Sequence, residues 1–265
     1  MVELNSEPQN QVRIQKWLSD MGLASRREAD RLVVAGMVYV NEVRALVGQK
    51  IDPALDRVRV EGTGKKLNSK APKVYWLMNK PDRTLVSRKS QGGNMTIFDL
   101  PMLKKVGFPI SSVGRLDYRT EGLLLLSNDG ELIYRLTHPK FKIPKVYQVL
   151  IKQRLSSAEE ALIRKGITLE DGLVSPSLID YFCVESKGAI TGHWYKITVF
   201  EGRNHLVRRI FESFDKPVLR LVRVGLGSIK LPAHLPQGKY QQLSACEIQT
   251  LLKLVSLDKI GNLKV

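Results

Sequence analysis

The 265-residue sequence has two cysteines, Cys183 and Cys246, and four scattered histidines. Two distant thiols make neither a disulfide framework nor a C-x-x-C metal motif, so a stapled secreted scaffold and a zinc ribbon are excluded and no metal is expected. Long apolar runs are also missing. No stretch free of charged and amide side chains exceeds nine residues, Leu32–Val40 being one, and a membrane-crossing helix needs about 20. The first ten residues carry no basic run and no apolar segment of the kind a secretory signal has, so the expected location is the cytoplasm. Acidic residues are the last scarcity. Asp and Glu number 26 against 42 Lys and Arg, and the resulting net charge of +16 points to a polyanionic partner, nucleic acid first. A membrane surface would require an amphipathic helix with a dense Lys/Arg face, which the sequence lacks.

What is present is ordinary for a folded protein: 43% hydrophobic and 26% charged residues, enough to build a core. The polar stretch Thr63-Gly64-Lys65-Lys66-Leu67-Asn68-Ser69-Lys70-Ala71-Pro72 has little to bury and reads as a linker. The expected organisation is a small domain over 11–63, a linker over 64–73, a larger domain over 74–255 and a tail over 256–265. Residues 1–70 carry a net charge of +3, so the larger part holds most of the excess, +13.

In the small domain Ile14, Trp17, Leu18 and Met21 fall at helical spacing before Gly22, which predicts a helix over about 11–21. Ser25-Arg26-Arg27-Glu28 fits a capping box that opens a second helix, with Ala29, Leu32 and Val33 on its apolar face and Gly36 at its end. Val38–Val40, Val43–Ala45 and Arg57–Val60 read as short strands. Arg13, Lys16, Arg26 and Arg27 form a basic cluster, two of them at a helix amino end where free amides already favour phosphate. A solvated polar face is the plainer explanation of such a cluster taken alone. The strings from Arg13 to Leu18, from Gly22 to Ala29 and from Gly36 to Asn41 resemble the S4 RNA-binding domain. That resemblance implies docking of structured RNA through the paired helices, with Arg13, Lys16, Ser25, Arg26 and Arg27 as the contact residues.

In the larger domain the four leucines of Leu123–Leu126 need cover on both faces and predict a central strand. Asn128-Asp129-Gly130 then turns the chain, and Asp129 is placed to cap a helix over Glu131–Thr137. Arg115, Asp117 and Glu121 precede or open the strand, where a surface ion pair around a turn would account for them on physical grounds. The full string Gly114-Arg115-Leu116-Asp117-Tyr118-Arg119-Thr120-Glu121-Gly122-Leu123-Leu124-Leu125-Leu126, followed by Asn128-Asp129-Gly130, resembles the RNA pseudouridine synthases, in particular the subfamily acting on bacterial ribosomal RNA. Asn79-Lys80-Pro81, Lys145-Val146-Tyr147-Gln148-Val149 and Glu201-Gly202-Arg203-Asn204-His205-Leu206-Val207-Arg208-Arg209-Ile210-Phe211 agree with it.

The resemblance implies an α+β fold: the S4-like domain plus a catalytic domain with a mixed, mainly antiparallel sheet flanked by helices. It implies isomerisation of a uridine to pseudouridine without a cofactor, because the reaction conserves every atom of the substrate. Asp117 becomes the attacking carboxylate, at C1′ of the sugar or C6 of the base, and Arg208 the cation that orients it. A neighbouring arginine lowers an aspartate pKa by about 1–3 units. Without the family, Arg208 is one basic residue on a helix face. Tyr147 either stacks on the flipped base or is a buried strand tyrosine, and Arg115 either fills the space the base leaves or contacts phosphate. Leu221 packs on the base or in the core, while Arg203, Asn204 and His205 border the substrate. Arg203 to Arg223 holds six basic and two acidic residues, read as a phosphate-tracking strip that includes Arg209 and Arg223. Asp82-Arg83 and Leu206 depart from the family, which often has Gly and Gln there. Features of the carboxy-terminal stretch from Leu231 to Val255 resemble the branch acting on large-subunit, 23S, RNA; small-subunit, 16S, RNA is the alternative substrate, and a non-enzymatic RNA-binding or ribosome-assembly factor is the competing class. The expected partner is that RNA or a large-subunit assembly intermediate, and the protein is expected to be a monomer.

Overall fold

A computed structural model describes residues 11–62, 72–104, 106, 108–175, 177–187 and 190–256. Of the linker expected over 64–73, residues 64–71 lie outside the described residues, as do 257–265 of the expected tail and the first ten positions. The chain divides into two compact units, one running to Lys73 and taking in 106–110, the other made of Val74–Lys105 and Ser111 onward.

The first unit starts with β1 (Val12–Arg13), α1 (Ile14–Asp20), α2 (Arg26–Val34), β2 (Val38–Val40), β3 (Val43–Arg44), β4 (Lys50–Ile51) and β5 (Val58–Val60). Its first helix is shorter than its spacing predicts, because Val12 and Arg13 pair antiparallel with Ile51 and Lys50 before the helix begins. Gly22 takes the left-handed conformation at φ 72° that stops it. The box at α2 forms on one side: the Ser25 hydroxyl accepts from the Glu28 amide, whereas the Glu28 carboxylate pairs with Arg31 one turn on. Ile14 and Leu18 of α1 and Ala29 and Val33 of α2 pack on Val38, Val40, Ile51 and Val58. Each large side chain buried in this way contributes about 1.5–3 kcal/mol.

The second unit continues with β6 (Tyr75–Lys80), α3 (Pro101–Lys104), β7 (Ser111–Ser112), β8 (Thr120–Ser127) and α4 (Gly130–Thr137). Then come β9 (Lys145–Ile151), α5 (Ser157–Lys165), a small hairpin of β10 (Thr168–Leu169) and β11 (Gly172–Leu173), β12 (Leu178–Lys187) and β13 (Ile190–Val199). Last are α6 (Leu206–Glu212), β14 (Val218–Leu226), β15 (Ile229–Lys230), β16 (Tyr240–Gln242) and α7 (Ala245–Leu254). The large sheet has the order β12-β13-β9-β14-β8-β6-β16, with β15 beside β14 and β7 beside β8. β14 runs parallel to β8 and the other strand pairs are antiparallel, a mixed, mainly antiparallel sheet.

β8 is buried along its whole length, as four consecutive leucines require. Leu123 and Leu125 meet Leu132 and Leu136 of α4 and Leu251 and Leu252 of α7, and Leu124 and Leu126, buried too, alternate onto the opposite face. Asp129 caps α4 by accepting from the amides of Glu131 and Leu132. Gly122 is needed where β8 meets β14. Its φ is +98°, and a Cβ there would overlap the Arg223 carbonyl. That close approach sets the start of β8 beside Leu221 and Arg223 of β14.

Candidate active site

A cleft of about 540 Å³ opens in the second unit, within the range of small-ligand sites. It is lined by residues 113–118 ahead of β8, by Lys145 and Tyr147 of β9, by Leu221 and Arg223 of β14, by 201–207, and by 85–87 with Gln91. Tyr147 faces Arg223 across β9 and β14, and Leu221 faces Thr120 across β14 and β8. The mixed topology is what brings these segments together.

Asp117 sits in the turn before β8, its side chain about one third exposed, and its carbonyl accepts from the Thr120 amide at 3.0 Å. The next three carbonyls are all held by cations. Lys80 Nζ donates to the Tyr118 oxygen at 3.3 Å and the Thr120 oxygen at 2.8 Å, and Arg208 Nη2 donates to the Arg119 oxygen at 2.9 Å. Lys80 is fully buried and bonds the Pro81 carbonyl as well. Burial brings its pKa down to about 8 against the opposing pull of Asp82, Asp117 and Glu121. The turn is thereby fixed through its main chain while the Asp117 side chain stays turned to the cleft.

The position of Arg208 corrects the expectation of a direct pair with Asp117. Its guanidinium goes to the carbonyls of Arg119 and Val218, the latter at 3.2 Å, and makes no ion pair with Asp117. The group beside the carboxylate is His205, whose Nε2 lies 3.7 Å from Asp117 Oδ1 and forms an ion pair when the ring is protonated. His205 adopts φ 51° at the start of α6, a conformation uncommon for a residue with a side chain. Three residues further along, Arg208 is carried away from the carboxylate and toward the strand ends.

The basic strip from Arg203 to Arg223 is also corrected. Each of its six cations is bonded inside the protein. Arg203 and Arg209 converge on Asp171 of the β10–β11 turn, and the Arg209 hydrogen bond, with Arg203 nearby, holds that carboxyl below its ordinary range. Arg203 bonds the carbonyls of Gly172 and Leu173 too, and its Nε lies 2.8 Å from Glu201. Lys216 pairs with Glu159, and Arg220 makes a two-bond pair with the buried Glu121 at 2.8 and 2.9 Å. Arg223 is 2% exposed and donates to the Leu123 carbonyl. Carboxylates therefore engage four of the six cations that the local count reads as a phosphate surface, and Arg208 and Arg223 bond backbone carbonyls. Arg115 remains exposed on the cleft rim, and exposed Asn204 lines the cleft.

Tyr147 and Leu221, 9% and 3% exposed, are both buried and cleft-lining, so the two readings of each are compatible. Lys80, Lys145, Tyr118 and Asp171 had no role on sequence grounds. Lys145 could have been found, because it stands two residues before Tyr147 on one strand and so shares its face. The Tyr118 hydroxyl donates to Asn94 at 2.9 Å, tying the loop before Thr96 to the Asp117 turn, and nothing local marks that pair. In the first unit Arg13, Arg26 and Arg27 are exposed, Lys16 pairs with Asp20 at 3.2 Å, and Ser25 serves as a helix cap. Among the described residues no group of three His, Cys, Asp or Glu is placed to hold a metal ion.

The family described as RNA pseudouridylate synthase matches residues 74–213, and the S4 domain matches residues 12–55. The chain belongs to the RNA pseudouridylate synthase family. One relative, an uncharacterized RNA pseudouridine synthase of Aquifex aeolicus, is 41% identical over 93% of this chain and 96% of its own. Ribosomal large subunit pseudouridine synthase B of Haemophilus influenzae is 36% identical over 92% of this chain and 68% of its own. The Escherichia coli K12 protein of that name is 35% identical over 96% and 86%. A crystal structure of a pseudouridylate synthase superposes with a TM-score of 0.59 at 26% identity, covering 91% of this chain and 99% of that one. The synthase is thus an isomerase acting on RNA with an S4 domain ahead of its catalytic fold. Among the described residues no helix is long and apolar enough to cross a membrane.

Proposed function

We propose that this synthase isomerises a uridine of large-subunit (23S) ribosomal RNA, with Asp117 as the attacking group. The observation that carries the assignment is the Asp117 turn, whose carbonyls at 118, 119 and 120 are bound by Lys80 and Arg208 while its carboxylate faces the cleft. A fixed main chain places a nucleophile without spending its oxygens on internal bonds. Similarity to the two proteins named ribosomal large subunit pseudouridine synthase B supports the choice of RNA.

A base in a helix is out of reach and must be flipped into the cleft. Tyr147 offers its ring for stacking, worth about 1–3 kcal/mol per base, and Leu221 supplies an apolar wall. His205 acts as the local partner of the carboxylate, Arg208 as a positioning residue through Arg119, and Arg115 as the rim cation nearest the backbone of the strand. Arg26 and Arg27, at the amino end of α2, dock the RNA through its phosphates.

Release of tritium from C5-labelled uridine in purified large- and small-subunit ribosomal RNA tests the reading. Release from the large-subunit RNA, abolished in Asp117→Asn with RNA affinity and melting temperature unchanged, is expected. Turnover by Asp117→Asn near the wild-type rate would refute the nucleophile, and release from small-subunit RNA alone would refute the substrate.

A further inference from the structure

Two cations lie on the floor of the cleft, and neither is neutralised by a bonded carboxylate. Lys145 Nζ donates to the Ile143 carbonyl at 3.1 Å. Arg223 donates through Nε to the Leu123 carbonyl at 2.8 Å, while its Nη2, buried in a residue only 2% exposed, has no partner within the protein. The acid nearest Lys145 is Glu201, and it is committed elsewhere: Oε2 lies 2.8 Å from Arg203 Nε, and Oε1 accepts from the Ser175 amide at 2.8 Å. Lys145 and Tyr147 share a face of β9, and Arg223 stands opposite Tyr147 on β14. The proposed stacking ring and the two cations therefore border one compartment, walled by Val199, Leu221 and Leu226, each at most 3% exposed.

A phosphate carries a hydrated charge and suits the exposed rim at Arg115. A buried floor with apolar walls, an aromatic ring and spare N–H donors suits a flat base with oxygens on its edge. We infer that Lys145 and Arg223 bind the carbonyl oxygens of the flipped uracil and hold the negative charge that the base takes on while it is detached from its ribose. This inference rests on the proposed role of Asp117. In attack at C1′, a bond forms between an Asp117 oxygen and C1′ as the C1′–N1 bond breaks, and the electron pair passes to N1 and spreads over O2 and O4. Reattachment forms the C1′–C5 bond, releases Asp117, and moves the C5 proton to N1, so atoms and electrons balance without a co-reactant. Attack at C6 sends the first pair to the same carbonyl system. Donors fixed in a water-poor site where charge develops act most strongly on the barrier.

The state of Lys145 is consistent with a site awaiting an anion. Burial first, and then the Arg223 charge, bring its pKa down to about 8, with Glu201 pulling the other way. The other ionisable groups lining the cleft are Asp117, Arg115, Tyr118 and Tyr147, with Arg203 and His205 on the segment after β13.

The test uses the full-length protein on large-subunit RNA transcribed with uridine or with 5-fluorouridine. Loss of the N-glycosidic uridine or 5-fluorouridine is followed in single turnover by chromatographic separation of the nucleosides in the digest, and tritium release is read on the uridine RNA alone, because C5 of 5-fluorouridine carries no hydrogen. Fluorine at C5 withdraws electrons and makes the base a better leaving group, so it needs less help from the protein. Lys145→Gln is expected to lose about 10²–10³-fold on uridine, and its loss on 5-fluorouridine is expected to be smaller by about tenfold or more. Equal losses on the two RNAs would overturn the inference and leave a binding or structural role. Lys145→Arg keeps the charge and serves where Lys145→Gln does not fold: its rate ratio between 5-fluorouridine and uridine is expected to stay within about threefold of the wild-type ratio, and a ratio raised by about tenfold or more would overturn the inference. Failure of the underlying reading is seen separately, as no conversion by the wild type or undiminished conversion by Asp117→Asn, and it would take this inference with it.

Discussion

Lys80 carries a charge into the interior and gives its hydrogen bonds to the carbonyl oxygens of Pro81, Tyr118 and Thr120. Its pKa is about 8 in the folded protein against an ordinary value of 10.5. Between those two values the unfolded chain keeps a proton that the folded chain has released, so this group makes stability rise with pH across the window. Below pH about 8 both states are protonated and the penalty of burying the charge is complete. The melting temperature of the wild type relative to Lys80→Met should accordingly climb from pH 8 to pH 10; a flat difference would mean that the buried amine stays charged. Lys145 is present in both proteins and cancels from the comparison. At this scale the place of Asp117 just ahead of the central strand was legible in the sequence because a long motif surrounds it. The bonds made by Arg208 and Lys80 were not, since a side chain's reach toward particular carbonyls depends on how strands and turns are stacked.

Strands and helices were legible wherever periodicity or a run of leucines left one solution. β8, the turn at Asn128 and α4 all lie where their residues put them. The first helix did not, because pairing of Val12 and Arg13 with β4 takes its first turn, and strand partners 39 and 37 residues away leave no local mark. Nor did the hairpin of β10 and β11 show itself, although Asp171 at its turn ties up Arg203 and Arg209. Gly122 joins element to element. Gly122→Ala should destabilise the protein by about 2–4 kcal/mol, because the new Cβ meets the Arg223 carbonyl at a positive φ. Urea denaturation measures this directly, and a loss below about 0.5 kcal/mol would show that the parallel β8–β14 pair can open without strain.

For the molecule as a whole, a charge of +16 overstates what RNA can use. Four of the six cations from Arg203 to Arg223 are paired with carboxylates, whereas Arg26 and Arg27 stand exposed at a helix amino end. Replacing both with alanine should weaken binding to ribosomal RNA and reduce the slope of log affinity against log salt by about 1.5, from two lost phosphate contacts. Arg209→Ala should leave that slope unchanged. An unaltered slope in the double variant would remove α2 from the RNA-docking surface.

Composition, spacing and one long motif determined the charge, the two-part organisation, the central strand and the synthase family. These are carried by neighbours along the chain. Which cations remain free, which group stands beside Asp117 and which polar atoms reach the cleft floor were decided by the tertiary structure. Arg208 and the Arg119 carbonyl are 89 residues apart, and Arg220 and Glu121 are 99 apart. Electrostatic energy depends on distance through space, and folding sets that distance without regard to separation along the chain.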